Sequence, residues 1–103
     1  MATDKEYLEY VKDQLSETEG VSFRPMMGEY ILYIGGKVAG GVYDNRLLVK
    51  PTKSARALMP DAPYELPYDG AKEMLLVDNL DDREFLRELL TAMYDDLPEK
   101  KKK

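Results

Sequence analysis

Apolar residues recur at helical spacing in two stretches, one near each end of the chain. The first stripe consists of Leu8, Val11 and Leu15. The second consists of Phe85, Leu86, Leu89, Leu90, Met93 and Leu97. Each follows a capping-box pattern, Thr3 with Glu6 in the first case and Asp81 with Glu84 in the second. The sequence therefore predicts an N-terminal amphipathic helix running to about Ser16 and a C-terminal amphipathic helix.

Between these helices the sequence has the composition of strands joined by tight turns. Gly35-Gly36 and Asp44-Asn45 are dipeptides typical of two-residue hairpin loops, which predicts a three-stranded antiparallel meander over residues 29–50. Residues 21–26 and 72–77 have the composition of outer strands. The expected sheet therefore has about five strands.

The segment after the meander is less regular. Residues 52–59 are compatible with a short helix capped by Thr52 or Ser54 and stopped by Pro60. Prolines and tyrosines then indicate an irregular connection, in which Asp69-Gly70 is a turn.

Uninterrupted pairing from both hairpin turns assigns each meander residue to one face, because side chains alternate along a strand. The mostly apolar face, expected to pack against the helices, contains Ile31, Tyr33, Val38, Gly40, Val42, Leu47 and Val49. The mixed face, expected to be open, contains Tyr30, Leu32, Ile34, Lys37, Ala39, Gly41, Tyr43, Arg46, Leu48 and Lys50.

These patterns together predict an α+β fold: a single antiparallel β-sheet with the N- and C-terminal helices packed on one face. With 103 residues the chain is long enough for one hydrophobic core. We expect one domain over residues 1–98 and a disordered basic tail over residues 99–103.

Three residue types are missing: the chain has no Cys, no His and no Trp. Thiol nucleophiles, imidazole acid–base catalysis and ordinary zinc sites are thereby excluded. No residue pattern supports a catalytic, cofactor or metal site, so we expect a protein that is not an enzyme. The N-terminus has no secretory signal pattern, and without cysteines nothing indicates an oxidising compartment, which favours the cytoplasm.

The net charge of −5 is unevenly distributed. Residues 21–60 carry six basic and two acidic side chains, whereas residues 61–99 carry three basic and twelve acidic ones. The overall acidity disfavours direct binding of a phosphate backbone, although the central segment can still present a local basic patch.

The mixed sheet face is the first candidate binding surface, because tyrosines beside cations suit both protein docking and base stacking. The second candidate is the bend from Arg24 to Gly28, where a guanidinium lies next to two methionines. The candidate partner-binding residues are Arg24, Gly28, Tyr30, Lys37, Tyr43, Arg46 and Lys50. The structural alternatives are an ordinary solvated sheet face, and a bend whose methionines fill the core edge while Gly28 supplies a positive φ.

Two segments carry a family resemblance. Residues 23–30 read Phe-Arg-Pro-Met-Met-Gly-Glu-Tyr, and residues 43–50 read Tyr-Asp-Asn-Arg-Leu-Leu-Val-Lys. With these segments the chain resembles the N-terminal domain of the TfoX/Sxy family of bacterial competence regulators. The family commonly has Phe at the position of Met27 and Gly at that of Glu29. The resemblance implies helices on one side of a single antiparallel sheet, and a non-enzymatic co-regulator acting with the cyclic-AMP receptor protein.

We therefore expect a regulatory protein-interaction module whose partner belongs to the transcription machinery, with no role for a membrane. Two alternatives stay open: a nucleic-acid-binding module using the open face, and a small enzyme using Lys, Tyr or carboxylate chemistry. Self-association as a homodimer is also open, because Leu32, Ile34 and Leu48 would add apolar area to the open face.

Overall fold

The computed structural model describes residues 3–97. The elements in chain order are α1 (Lys5–Gln14), β1 (Val21–Met26), β2 (Glu29–Ile34), β3 (Lys37–Val42), β4 (Leu47–Val49), α2 (Lys53–Leu58), β5 (Tyr64–Glu65), β6 (Met74–Leu76) and α3 (Arg83–Asp96). The predicted tail at 99–103 lies outside the described residues.

All six strands form one antiparallel sheet in the order β1-β2-β3-β4-β6-β5. The predicted α+β class is confirmed. The strand that the sequence did not predict is the two-residue β5, which lies within the irregular connection and pairs with β6.

Helix capping follows the sequence in one case and departs from it in two. Thr52 caps α2 as expected, its hydroxyl oxygen accepting a hydrogen bond from the Ala55 amide. At α3 the cap is Asp82 rather than Asp81, because its carboxylate accepts from the Phe85 amide. The Thr3 capping box is wrong: the cap residue of α1 is Asp4, and the buried Thr3 hydroxyl instead donates to the Glu29 carboxylate at 2.6 Å.

Both predicted hairpin turns are present. Gly35 and Gly36 have φ of 58° and 86°, and Asp44 and Asn45 have φ of 52° and 59°, as a two-residue turn that follows the strand twist requires. Two-residue loops at these positions imply that Ile34 pairs with Lys37 and Gly41 with Leu48, and both pairs are observed.

Between these turns lies a β-bulge that the sequence did not predict. Leu32 pairs with Gly40 whereas Tyr33 pairs with Val38, so Ala39 is an extra residue in β3. Because side chains alternate along a strand, one extra residue shifts the alternation. The residues of β2 and β3 that pair next to the Gly35-Gly36 turn therefore lie on the face opposite to the one expected. The face assignment is consequently wrong for β2 and the start of β3, and right for the end of β3 and for β4.

The bulge places the aliphatic side chains of β2 in the core. Leu32 and Ile34 are buried against the helices, while Ile31, Tyr33 and Val38 lie on the opposite face. At Gly40, beside the bulge, a Cβ would collide with the Leu48 carbonyl oxygen of the neighbouring strand, so this position requires glycine.

The core lies between the helices and one side of the sheet, which we call the core face. Its buried members are Leu8, Val11, Leu15, Leu32, Ile34, Ala39, Val42, Leu47, Val49, Ala55, Leu75, Val77, Leu86, Leu89, Leu90, Met93 and Leu97. The apolar stripes of the terminal helices both contribute, as predicted. The opposite side of the sheet, which carries no helix, is the open face. Within residues 3–97 no helix is both long and apolar enough to cross a membrane.

Candidate functional site

The strand register defines the residues of the open face. One row of paired residues runs across the sheet through Arg24, Ile31, Gly41, Leu48 and Leu76. A second, shorter row consists of Ser22, Tyr33 and Val38. The face therefore joins the predicted Arg24 to residues that the sequence had assigned to the core.

One half of the open face is covered by a segment of the irregular connection, residues 65–68, which we call the strap. Arg46 holds the strap: its guanidinium donates to the Glu65 carboxylate at 2.6 Å and to the Leu66 carbonyl at 3.2 Å. Leu48 is 0% exposed although it lies opposite the core. Residues 65–68 with the residues beneath them form a small second core, which we call the covered half.

Tyr43 is the aromatic centre of the covered half. Its ring lies over Gly41, where a Cβ would be 2.5 Å from it, and its centroid is 5.9 Å from that of Tyr68. Tyr43 is only 6% exposed, and burial raises the pKa of its phenol above the ordinary 10.0, with smaller contributions from Tyr68 and Glu29. Tyr43 and Arg46 are therefore on the predicted face but are not free on it.

No strap from the described part of the chain covers the other half of the open face, and we call it the bare half. It consists of Ser22, Arg24, Ile31, Tyr33 and Val38. The Arg24 guanidinium carbon lies 5.9 Å from the centroid of the Tyr33 ring, within the range of a cation–π contact. Val38 is 37% exposed. Arg24 forms no ion pair with any residue between 3 and 97, so its charge is available to a partner.

The turn between β1 and β2 extends the bare half at one end. Met27 is 98% exposed and has φ +52°, and Gly28 follows with φ +89°. The Thr3 amide donates to the Gly28 carbonyl, and one Glu29 carboxylate oxygen accepts from the Thr3 hydroxyl and from the amide of Asp44. The turn is therefore held by the N-terminus and the neighbouring hairpin, and Gly28 has the positive φ expected of it.

The other three predicted site residues belong to neither half of the open face. Tyr30 packs against the core on the helix side, which corrects its assignment to the open face. Lys37 is on the core face as well: its ammonium donates to the Tyr94 carbonyl at 3.0 Å and lies 4.0 Å from the Tyr94 ring centroid. Both errors follow from the bulge at Ala39. Lys50 is half-buried just after β4, with its amide donating to the Ala39 carbonyl.

A shallow cleft of about 620 Å³ lies between the Gly35 turn and α3. It is lined by Glu17, Glu19, Gly20, Ile34, Gly35, Arg87, Thr91, Tyr94 and Asp95. Because these residues come from separate segments, no local pattern in the sequence indicated the cleft. Among residues 3–97, no three His, Cys, Asp or Glu side chains are grouped so as to hold a metal ion.

Comparison with known proteins identifies the family. The family model of the TfoX N-terminal domain matches residues 13–96. The chain is also 40% identical over 80 residues to an uncharacterised 12.7 kDa protein in the trpE 5′ region of Spirochaeta aurantia, covering 78% of this chain and 70% of that protein. No solved structure gives a significant match. The match over most of the chain leads to one conclusion: the chain belongs to the TfoX N-terminal domain family.

Proposed function

We propose that this domain is a regulatory protein-interaction module that acts without catalysis. Its protein partner docks on the bare half of the open face and on the adjoining Met27 turn. The resemblance to competence co-regulators makes proteins of the transcription machinery the first partners to examine.

The observation that carries this proposal is the conformation of Met27. A side chain other than glycine in the left-handed region costs roughly 1–2 kcal/mol. Met27 is 98% exposed, so its side chain recovers almost none of that cost by burial within the chain. The two-residue turn requires a positive φ at this position but does not require methionine. Because methionine adapts well to partner surfaces, its full exposure here supports a binding role.

The chemistry of the bare half supports the same proposal. Arg and Tyr are enriched among the residues that dominate protein–protein binding energy, and Arg24 and Tyr33 lie next to each other here. Ile31 and Val38 add apolar area to the bare half. The covered half instead buries its own apolar side chains under the strap.

Direct nucleic-acid binding receives less support. Of the four cations predicted for such a surface, Arg46 is paired with Glu65 and Lys37 is engaged with Tyr94 on the helix side. Arg24 and Lys50 remain, in a protein of net charge −5. A nucleic-acid site would show affinity that falls steeply with salt, which anisotropy with a labelled single-stranded RNA would measure.

The test is to remove the Met27 side chain by Met27→Gly. Glycine suits a positive φ, so we expect the unfolding free energy to rise by about 1 kcal/mol while partner binding falls. Stability is measured by urea denaturation, and binding by quantitative mass spectrometry of proteins recovered from native lysate.

Matched variants make the result specific. Tyr33→Ala should reduce the same partners, whereas Tyr10→Ala, which removes an exposed tyrosine of α1, should leave them unchanged. If Met27→Gly and Tyr33→Ala recover the same proteins in the same amounts as the unmodified chain, the bare half is not the docking surface.

A further inference from the structure

We propose that two copies of this chain associate through their β1 strands, which pair antiparallel and join the two sheets into one. This surface is the strand edge, which adjoins the bare half and shares Ser22 and Arg24 with it. β1 is the outermost strand at one end of the sheet and has six residues, whereas the strand at the other end, β5, has two. Of the two sheet edges formed by residues 3–97, the β1 edge alone is long enough to pair with a second strand over several residues.

The free backbone groups of β1 follow from its pairing with β2. The two-residue turn makes Met26 and Glu29 the closing pair, and hydrogen-bonded pairs alternate along an antiparallel ladder. The even-numbered residues of β1 therefore bond to β2, and the Gly20 carbonyl continues this pattern by accepting from the Gly35 amide at 2.8 Å. The outward groups belong to Val21, Phe23 and Pro25.

A twofold axis at Ser22 lets the outward N–H and C=O groups of Val21 and Phe23 in both copies form hydrogen bonds. Val21 of each copy then lies opposite Phe23 of the other, and the two pairs exchange four backbone hydrogen bonds. Pro25, which has no N–H to donate, falls at the end of the ladder, where proline is tolerated. Ser22 meets Ser22 of the second copy at the axis on the open face, and both side chains are small and exposed.

On the core face, the edge has a groove that fits an apolar side chain from the second copy. The groove has a volume of about 250 Å³, and its walls include Leu15, Thr18, Val21 and Phe23. In the proposed register, Phe23 of the second copy lies beside Val21 and over this groove. Thr18 is 7% exposed, and its hydroxyl has no hydrogen-bond partner within residues 3–97, a costly arrangement that marks this wall of the groove as incomplete.

Charge favours the same antiparallel arrangement. Two chains of net charge −5 repel each other, so association requires a locally neutral or complementary contact. β1 itself contains one charged residue, Arg24, and the segment before it contains Glu17 and Glu19. Antiparallel pairing around Ser22 brings Arg24 of each copy opposite Gly20 of the other, next to Glu19. Each end of the contact therefore holds one positive and one negative charge, with Arg24 on the open face and Glu19 on the helix side, where it lines the cleft beside α3.

A single cysteine tests the axis directly, because the chain has none. In a pair of this kind the two Cα atoms are about 4.5 Å apart, within the range that a disulfide spans. We expect Ser22→Cys to form a covalent dimer under mild oxidation of the full chain, visible on non-reducing gels. Ala57→Cys, at an exposed position of α2, should stay mostly uncrosslinked.

A charge exchange tests the register. In sedimentation velocity we expect a species of twice the 11.8 kDa chain mass, with a dissociation constant that rises by about tenfold or more for Arg24→Glu and for Glu19→Lys. Combining the two substitutions should restore dimerisation, because each end of the contact then again holds one positive and one negative charge. Lys5→Glu on α1 is the control that leaves the dimer unchanged.

Three results would overturn the proposal. The first is a purely monomeric chain at concentrations up to about 1 mM, a result also expected if the edge accepts only a strand from another protein. The second is a dimer in which Ser22→Cys crosslinks no better than Ala57→Cys. The third is failure of the double charge variant to recover.

Discussion

The two halves of the open face belong to the same sheet, yet the strap covers one half and leaves the other exposed. The covered half buries Leu48 and Tyr43 under the strap, and its cation, Arg46, is bound to Glu65. The bare half leaves Val38 37% exposed and Arg24 without an ion pair among residues 3–97. Tyrosines and cations on one face can therefore serve stability in one region and be available for binding in the next.

The largest expected difference between the halves comes from deleting an aliphatic side chain in each. Leu48→Ala should lower the unfolding free energy by about 3 kcal/mol, because it leaves a cavity under the strap. Val38→Ala, on the bare half, should change it by less than about 0.5 kcal/mol. Urea denaturation of both variants checks this, and equal losses would show that the two halves are not energetically distinct.

The contact between Gly41 and Tyr43 gives the next effect. A Cβ at Gly41 would be 2.5 Å from both the Tyr30 carbonyl oxygen and the Tyr43 ring, so Gly41→Ala should cost about 2 kcal/mol and displace the ring. Near-ultraviolet circular dichroism and thermal unfolding report both changes. The control, Gly36→Ala, has no neighbour within 4 Å but a φ of 86°, and should cost about 1 kcal/mol without altering the tyrosine signal.

The ion pair that holds the strap should have a smaller effect. Arg46 and Glu65 are each about one third exposed, so solvent partly screens their ion pair. Loss of the pair in Arg46→Ala should therefore lower the unfolding free energy by only about 1 kcal/mol. Proteolysis should then cut within residues 65–68 faster than in the unmodified chain, since the strap loses two hydrogen bonds. Arg24→Ala on the bare half should change neither stability nor the cleavage rate. Unchanged cleavage in Arg46→Ala would mean that packing alone holds the strap.

The smallest effect concerns alkaline pH. Because burial raises the pKa of Tyr43 in the folded state, its contribution to stability is fully present below the unfolded value of 10.0 and is lost as pH rises through the folded value. Tyr43→Phe should therefore lose less stability than the unmodified chain on going from pH 9 to about pH 11. Denaturation across this range measures the difference. Burial also raises the pKa of Tyr7, which lies outside the open face. Tyr7→Phe should therefore also lose less stability than the unmodified chain over the same pH range, which makes it a matched comparison.

The elements of the fold could be predicted from the sequence because their signals are local. The helix stripes, the two hairpin dipeptides and the Thr52 cap depend on residues that are near neighbours in the chain, and each was found. The capping box at Thr3 failed because its hydroxyl bonds to Glu29, which is remote in sequence. A cap pattern cannot exclude a stronger tertiary partner.

The candidate site could be predicted only in part, and the bulge explains why. Residues 31–34 read Ile-Leu-Tyr-Ile, so apolar side chains occupy both faces of β2 and the alternation does not reveal which face is buried. The turns fix the register at each end of β3 but not the number of residues that pair between them. Tyr43 and Arg46 lie on the open face as predicted, and Arg24, which was predicted only as part of the bend, lies there too. Tyr30 and Lys37 lie on the core face instead. The strap escaped prediction because an irregular segment has no period.

The extra residue at Ala39 also affects how relatives of this domain should be aligned. A homologue with one residue fewer between its two glycine- and asparagine-rich turns would present the side chains of its second strand to the opposite side, even if every aligned residue were identical. The spacing between those turns, more than percentage identity, then decides whether a binding surface mapped on one member can be transferred to another.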